Sequence, residues 1–343
     1  MPNPKLEPTH RTLQGRLVRL SPFIVGGAVL VLLPVFLPAY VQTIWTKFLI
    51  FAIFATSFDL IYGHAGLLSL GHAAFFGVGG YVVGVLLLHY EISSFWICAP
   101  LGIVAASAIA AAFGFISLRV SGMYFLLVTF ALAQLLYSIA WNWLWLNSPG
   151  MQGIAGIARP DLGIPSFRWT TLYFYYFVLI IFVLCFYLIY RIMKSPFGCS
   201  LRGIRESELR MESLGYNTWL HKYIVFIVTG AFAGMAGVLF AYFNRLISPV
   251  HLAVGTSFLP MCMVIIGGSG TLFGPVIGAM VIIFVEYFSS LVTPERWPLI
   301  LGGLFVIVIM YSRGGIMVYL SRIWKRELLK TTFRSLDYRD SKK

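Results

Sequence analysis

Charge is scarce in this sequence. Only 11% of its 343 residues are Asp, Glu, Lys or Arg, where a soluble chain of this size carries about a quarter. So little polar cover excludes a water-soluble globular enzyme, because lipid has to be the solvent for much of the surface. Cysteine is equally sparse. Cys98, Cys185, Cys199 and Cys262 show no paired spacing, which speaks against a disulfide framework or a zinc site. The chain has no GxxxxGK[ST] phosphate loop and no HExxH pair, so nothing in it reads as an ATP or zinc-hydrolase site. Strict alternation of apolar and polar residues is missing as well, and with it the signature of an outer-membrane barrel.

What is there is apolar and continuous. Hydrophobic residues make up 59% of the chain, in stretches close to the roughly 20 residues that carry a helix across a bilayer. The pattern predicts an all-α polytopic membrane protein with about ten spans, near 22–39, 44–62, 70–90, 95–117, 122–146, 171–191, 222–243, 256–268, 272–292 and 297–312. The eighth is too short for a plain span and reads as a broken helix. The polar N-terminus precedes a retained first helix rather than a cleaved signal peptide. The expected organisation is a cytoplasmic tail over 1–20, a membrane domain over 21–312 and a basic cytoplasmic tail over 313–343. Two longer connections stand out: an outer loop at 147–170, rich in Gly and Pro, and an inner loop at 194–222.

The net charge of +13 would suggest nucleic acid in a soluble chain. Here it follows topology. Ten spans with both termini inside leave only Lys47, Arg159, Arg168, Arg245 and Arg296 of the 25 basic residues outside the cytoplasmic segments, as the positive-inside rule requires. No nucleic-acid role is expected. The aromatic residues around the outer loop read as an interfacial belt, and Arg159, Asp161 and Arg168 in that loop are candidate contacts for an external protein partner.

Three stretches break the apolar monotony. "GHAGLLSLGHAAFFGVGGY" (63–81) places two histidines and six glycines between apolar spans. "SPFGCSLRGIRESELRMESLGYN" (195–217) lies in the inner loop. It predicts a short amphipathic helix from Ser200 to Leu214, with Arg202, Glu206 and Arg210 at successive i,i+4 spacings and Gly215 as a C-cap. "IGGSGTLFGPVIGAMVI" (266–282) repeats the glycine-rich interruption. Paired breaks in two halves of a membrane chain point to a transport site. Glycines at Gly80 and Gly84, Gly230 and Gly234, and Gly274 and Gly278 also fit close helix packing. Gly63, Gly66, Gly71, Gly267, Gly268, Gly270 and Pro275 are candidates for the breaks themselves.

Together these three stretches resemble the permease subunits, M-type, of branched-chain amino acid and urea-type ABC importers. The resemblance implies half of a solute pathway, with a second permease subunit, expected to be a different chain, completing it. It further implies two cytoplasmic ATPase subunits that hold the ATP and Mg²⁺, and an extracytoplasmic solute-binding protein. This chain would then carry no cofactor, would not be an enzyme and would sit in a bacterial inner membrane. A branched-chain amino acid is the expected solute, with urea or a short amide as the alternative. On this reading the inner loop couples to the ATPases through Arg202, Arg205, Glu206, Glu208 and Gly215, although Leu209, Arg210 and Met211 stand where a Glu-Ala-Ala motif precedes the glycine in related importers.

Candidate pathway residues are the polar groups inside or beside spans: Asp59, His64, Ser69, His72, Ser269 and Glu286. An intramembrane ionisable group is a functional candidate by default, but a structural hydrogen bond from Asp59 to His64, Ser57 or a backbone amide explains it equally. The histidines lack metal-ligand company, so no metal site is expected. Asp59, His72 and Glu286 could alternatively form the relay of an ion-coupled carrier. Gly267-Gly268-Ser269-Gly270 satisfies the short G-x-S-G pattern of rhomboid-type proteases, but no His follows His251 to serve as base.

Overall fold

The computed structural model describes residues 30–143, 153–161 and 169–292, with scattered positions elsewhere. Most of the tenth predicted span, the start of the first, nearly all of both tails, Arg168 and much of the outer loop lie outside the described residues. Helix α1 runs Ala39–Asp59 and ends in a π-helical turn, Leu60–His64. Then come α2 (His72–Tyr90), α3 (Phe95–Ser117), α4 (Met123–Asn142) and α5 (Thr171–Lys194). The inner-loop region forms two short helices, α6 (Pro196–Glu206) and α7 (Glu208–Ser213). The chain continues with α8 (Thr218–Asn244), α9 (Val254–Gly267) and α10 (Gly274–Val292).

Among the described residues seven helices are long and apolar enough to cross a membrane: α1 with its π turn, α2, α3, α4, α5, α8 and α10. The predicted short eighth segment is α9. Its 14 residues rise only about 21 Å, short of the roughly 30 Å hydrocarbon core. The chain is a multi-pass membrane protein.

Helix α1 starts at Ala39, five residues before the predicted boundary, because the Gln42 amide donates to the carbonyls of Pro34 and Leu37, each at 3.0 Å. Those bonds satisfy backbone groups freed by the Pro38 interruption. From there α1 is the central post, and nearly every residue from Ile44 to Asp59 is buried. Helices α5, α8 and α10 pack on it. The glycine pairs lie where close packing demands them. Gly230 and Gly234 of α8 face Ala110 and Ala106 of α3, while Gly79 of α2 lies against the Gly234 backbone. With no water-to-lipid gain available between apolar helices, this close approach supplies the association energy.

The described residues of the connections near 93, 155 and 246 form a small ladder. A two-residue strand β1 (Ile154–Ala155) pairs antiparallel with β2 (Leu246–Ile247), with Ile154 opposite Ile247. The Asp161 amide donates to the Ser93 carbonyl and the Phe95 amide donates to the Asp161 carbonyl, both at 3.0 Å. The bundle therefore has a ladder end, built from the segments near 93, 155 and 246, and a helical end, where α6 and α7 lie beside the segments near 63 and 270.

Candidate functional site

At the helical end the three interrupted stretches meet. Asp59 closes α1 with its side chain only 2% exposed. One carboxylate oxygen accepts the Gly270 amide at 2.7 Å, and the other lies 3.7 Å from His64 Nδ1. The π turn brings the Gly63 carbonyl to the surface of this cluster, where the Arg205 guanidinium of α6 donates to it. One buried carboxylate, one backbone carbonyl and one backbone amide thus tie α1, α6 and the α9–α10 turn together.

Glycine is required at two of these points. A Cβ on Gly63 would fall on the Asp59 oxygen and the Gly270 nitrogen, inside their hydrogen bond. Gly270 has φ of +74°, a left-handed conformation that a side chain disfavours, and a Cβ there would lie 3.1 Å from the guanidinium. Gly66 rests on the Arg205 stem. The Gly267 and Gly274 backbones touch where α9 turns into α10, with Pro275 at the second residue of α10.

The break between α1 and α2 is a non-helical link, and its polar groups are satisfied by side chains. The Ser69 hydroxyl accepts the Gly71 amide at 3.1 Å, the Thr129 hydroxyl accepts the Leu70 amide at 3.3 Å and Ser257 accepts the Ala73 amide at 2.9 Å. Ser257, on α9, thereby caps α2 from another helix, as irregular backbone at membrane depth requires. His72 is fully buried. Its ring stacks on Phe54 with centroids 5.3 Å apart, and Nε2 lies 2.8 Å from Ser57 Oγ. The Ser57 hydroxyl already donates to the Phe54 carbonyl, so it is best placed to accept from His72.

The inner loop departs from the single predicted helix. It breaks at Ser207 (φ −162°), whose hydroxyl accepts the Arg210 amide and starts α7. Gly203 stays helical, and Met211 of α7 folds back onto α6 against it. The predicted Arg202–Glu206–Arg210 ladder is therefore interrupted. Arg202 contacts the Cys199 sulfur at 3.3 Å, and Glu208 pairs with Lys222 of α8 at 2.5 Å. Gly215, with φ of +87°, does end the segment. Leu209, Leu214 and Tyr216 face outward, Leu209 at 78% exposure.

Glu286 lies apart from this cluster. It pairs with Lys47 of α1 at 2.7 Å, with the side chains 27% and 30% exposed respectively. Ser269 is half-buried in the α9–α10 turn. At the ladder end, Arg159 stacks 4.1 Å from the Phe174 ring centroid. Its burial and the nearby Arg245 charge pull its pKa below the ordinary arginine value. An apolar cavity of about 380 Å³ opens between α2, α3 and α4, beside Tyr81, Leu136 and Trp143, and none of the six polar pathway candidates lines it. The structure thus brings Asp59 and His64 together with Gly63, Gly270 and Arg205. It sets Ser69 and His72 in the neighbouring link and leaves Glu286 separate.

Sequence reasoning missed Lys47, Thr129 and Ser257. A lone cation within an apolar span was a usable signal for Lys47. Small hydroxyl residues are too common in spans to flag the other two.

Known proteins share this chain's pattern over most of its length. Residues 40–310 match the family described as "Branched-chain amino acid transport system / permease component". The high-affinity branched-chain amino acid transport system permease protein LivM of Escherichia coli K12 is 28% identical over 328 residues, covering 89% of this chain and 76% of that protein. LivM of Salmonella typhimurium is 28% identical over 79% of this chain and 68% of its own length. The high-affinity branched-chain amino acid transport system permease protein LivH of Escherichia coli K12 is 25% identical over 78% of this chain and 91% of its own length. No solved structure matches the chain. With a family match spanning all seven long apolar helices, the chain belongs to the permease components of branched-chain amino acid ABC importers.

Proposed function

We propose that this chain forms half of the inner-membrane pathway of an ATP-driven importer whose solute is a branched-chain amino acid. A second permease chain of LivH type completes the pathway, and a soluble binding protein delivers solute at the ladder end. Two ATPase subunits dock on α6 and α7 at the helical end and carry the ATP and Mg²⁺. The helical end then faces the cytoplasm, consistent with the Lys and Arg excess of the inner loop and both tails.

The observation that carries this reading is the pair α6–α7. It is a short helical surface with exposed Leu209, Leu214 and Tyr216, rooted by Arg205 in the ends of membrane helices. Such a surface is suited to receive a partner's movement. The test is ATP hydrolysis by this chain reconstituted with its companion permease and ATPases, with binding protein loaded with leucine or with urea. Stimulation by the leucine-loaded protein supports the reading. Stimulation by urea alone would change the solute. Uptake by this chain without any ATPase would replace the reading with an ion-coupled carrier.

A further inference from the structure

We infer that Asp59 is a positioning residue for coupling, the joint through which displacement of α6 reaches the α9–α10 turn, rather than a group that touches solute. The inference rests on the importer reading above.

The geometry sets out a series of links. Helix α6 packs chiefly on its chain neighbours, on α8 and on the π turn. Its polar attachment to the membrane helices is Arg205 on the Gly63 carbonyl. Four residues earlier in the same turn of chain, Asp59 holds the Gly270 amide at 2.7 Å. A push on α6 is therefore delivered to the π turn, and the π turn is fastened to the start of the α9–α10 hairpin. An apolar cluster also joins Leu201 of α6, Leu60 of the π turn and Leu272 beyond Gly270. Apolar packing is non-directional and lets surfaces slide. The two hydrogen bonds give the contact a fixed register.

Burial explains why the joint uses a carboxylate. At 2% exposure the Asp59 side chain has lost its water, and a desolvated carboxylate persists only with compensating donors and positive charge. Gly270 supplies the donor, and Arg205 lies within electrostatic reach. The arginine that holds α6 against the π turn thus stands beside the carboxylate that grips Gly270. If α6 withdraws, Arg205 leaves, and both links weaken together. A neutral side chain of equal shape would still accept the amide but would not respond to Arg205.

The test uses the full complex in proteoliposomes, with uptake and ATP hydrolysis measured on the same preparation. Asp59→Asn retains the shape and removes the charge; Arg205→Met removes the donor and keeps an unbranched apolar stem against Gly66. Each is expected to leave basal ATP hydrolysis and co-purification of the ATPases near wild type. Solute moved per ATP is expected to fall at least about tenfold, within the usual range of coupling between sites. The double variant should be no worse than either single one, since both cut one series of links. The solute KM should stay unchanged. A raised KM with an intact uptake-to-ATP ratio would make Asp59 a pathway residue and overturn the inference. A parallel loss of assembly, hydrolysis and uptake in both variants would make its role purely structural. A wild-type complex that loaded binding protein does not stimulate would overturn the importer reading itself.

Discussion

Among the described residues the α9–α10 hairpin is tied to α1 by two polar links, and they are not alike. Toward the ladder end, Lys47 meets Glu286 through two long side chains that both remain about a quarter to a third exposed. Toward the helical end, Asp59 is 2% exposed and holds a backbone amide through a glycine contact with no spare room. Twelve residues, about 18 Å of helix, separate the two links on α1. The first joins two flexible tips and leaves the backbones free to shift. The second fixes one backbone against another. In a span, charge alone does not distinguish a clamp from a decoration; burial and a backbone partner do.

The sharpest way to break this contrast is at Gly63. Its Cβ would occupy the Asp59–Gly270 hydrogen bond, so Gly63→Ala combines overpacking with a lost buried bond and should cost about 3 kcal/mol. Thermal melting of the detergent-purified complex would read this as a large fall in stability, and a wild-type melt would mean that the joint is loose. Ser257→Ala removes the cap on the Ala73 amide and should cost about 1 kcal/mol, as at ordinary helix caps. Fluorescence-detected melting of the same complex would resolve it. At the other link, Lys47→Met and Glu286→Gln should each cost less than about 1 kcal/mol, in the range of exposed ion pairs. Their double mutant should cost no more than the worse single. A larger loss on melting would show the outer link to be the equal of the inner one.

Much of this contrast could be read from the chain itself. Continuous apolar runs marked the spans, and glycines at four-residue spacing marked α2, α8 and α10 as closely packed. The breaks at 63–71 and 267–275 were legible because glycine and polar residues have no reason to interrupt a span otherwise. Their contact was not legible, since no local rule pairs Asp59 with an amide 211 residues away. Asp59 and Glu286 looked equivalent, each an acid within an apolar span, because burial is a property of the packed bundle. The split at Ser207 was missed for a different reason. A serine hydroxyl competes for backbone amides, and α7 folds back on α6 through Gly203, a tertiary contact that overrides the helical charge pattern.

The central claim is that α6 acts on the membrane helices through its attachment to the π turn, and it can be tested by replacing that attachment. A Cβ on Gly66 would lie 3.6 Å from the Arg205 Cβ, within the span of a disulfide. Gly66→Cys with Arg205→Cys, in a complex whose exposed Cys199 is changed to serine, removes the arginine and offers a covalent link instead. With the pair reduced, solute moved per ATP should be low; oxidation should restore it toward wild type, because α6 and the π turn again move as one. Oxidation that leaves coupling unchanged, or that arrests turnover altogether, would contradict the account.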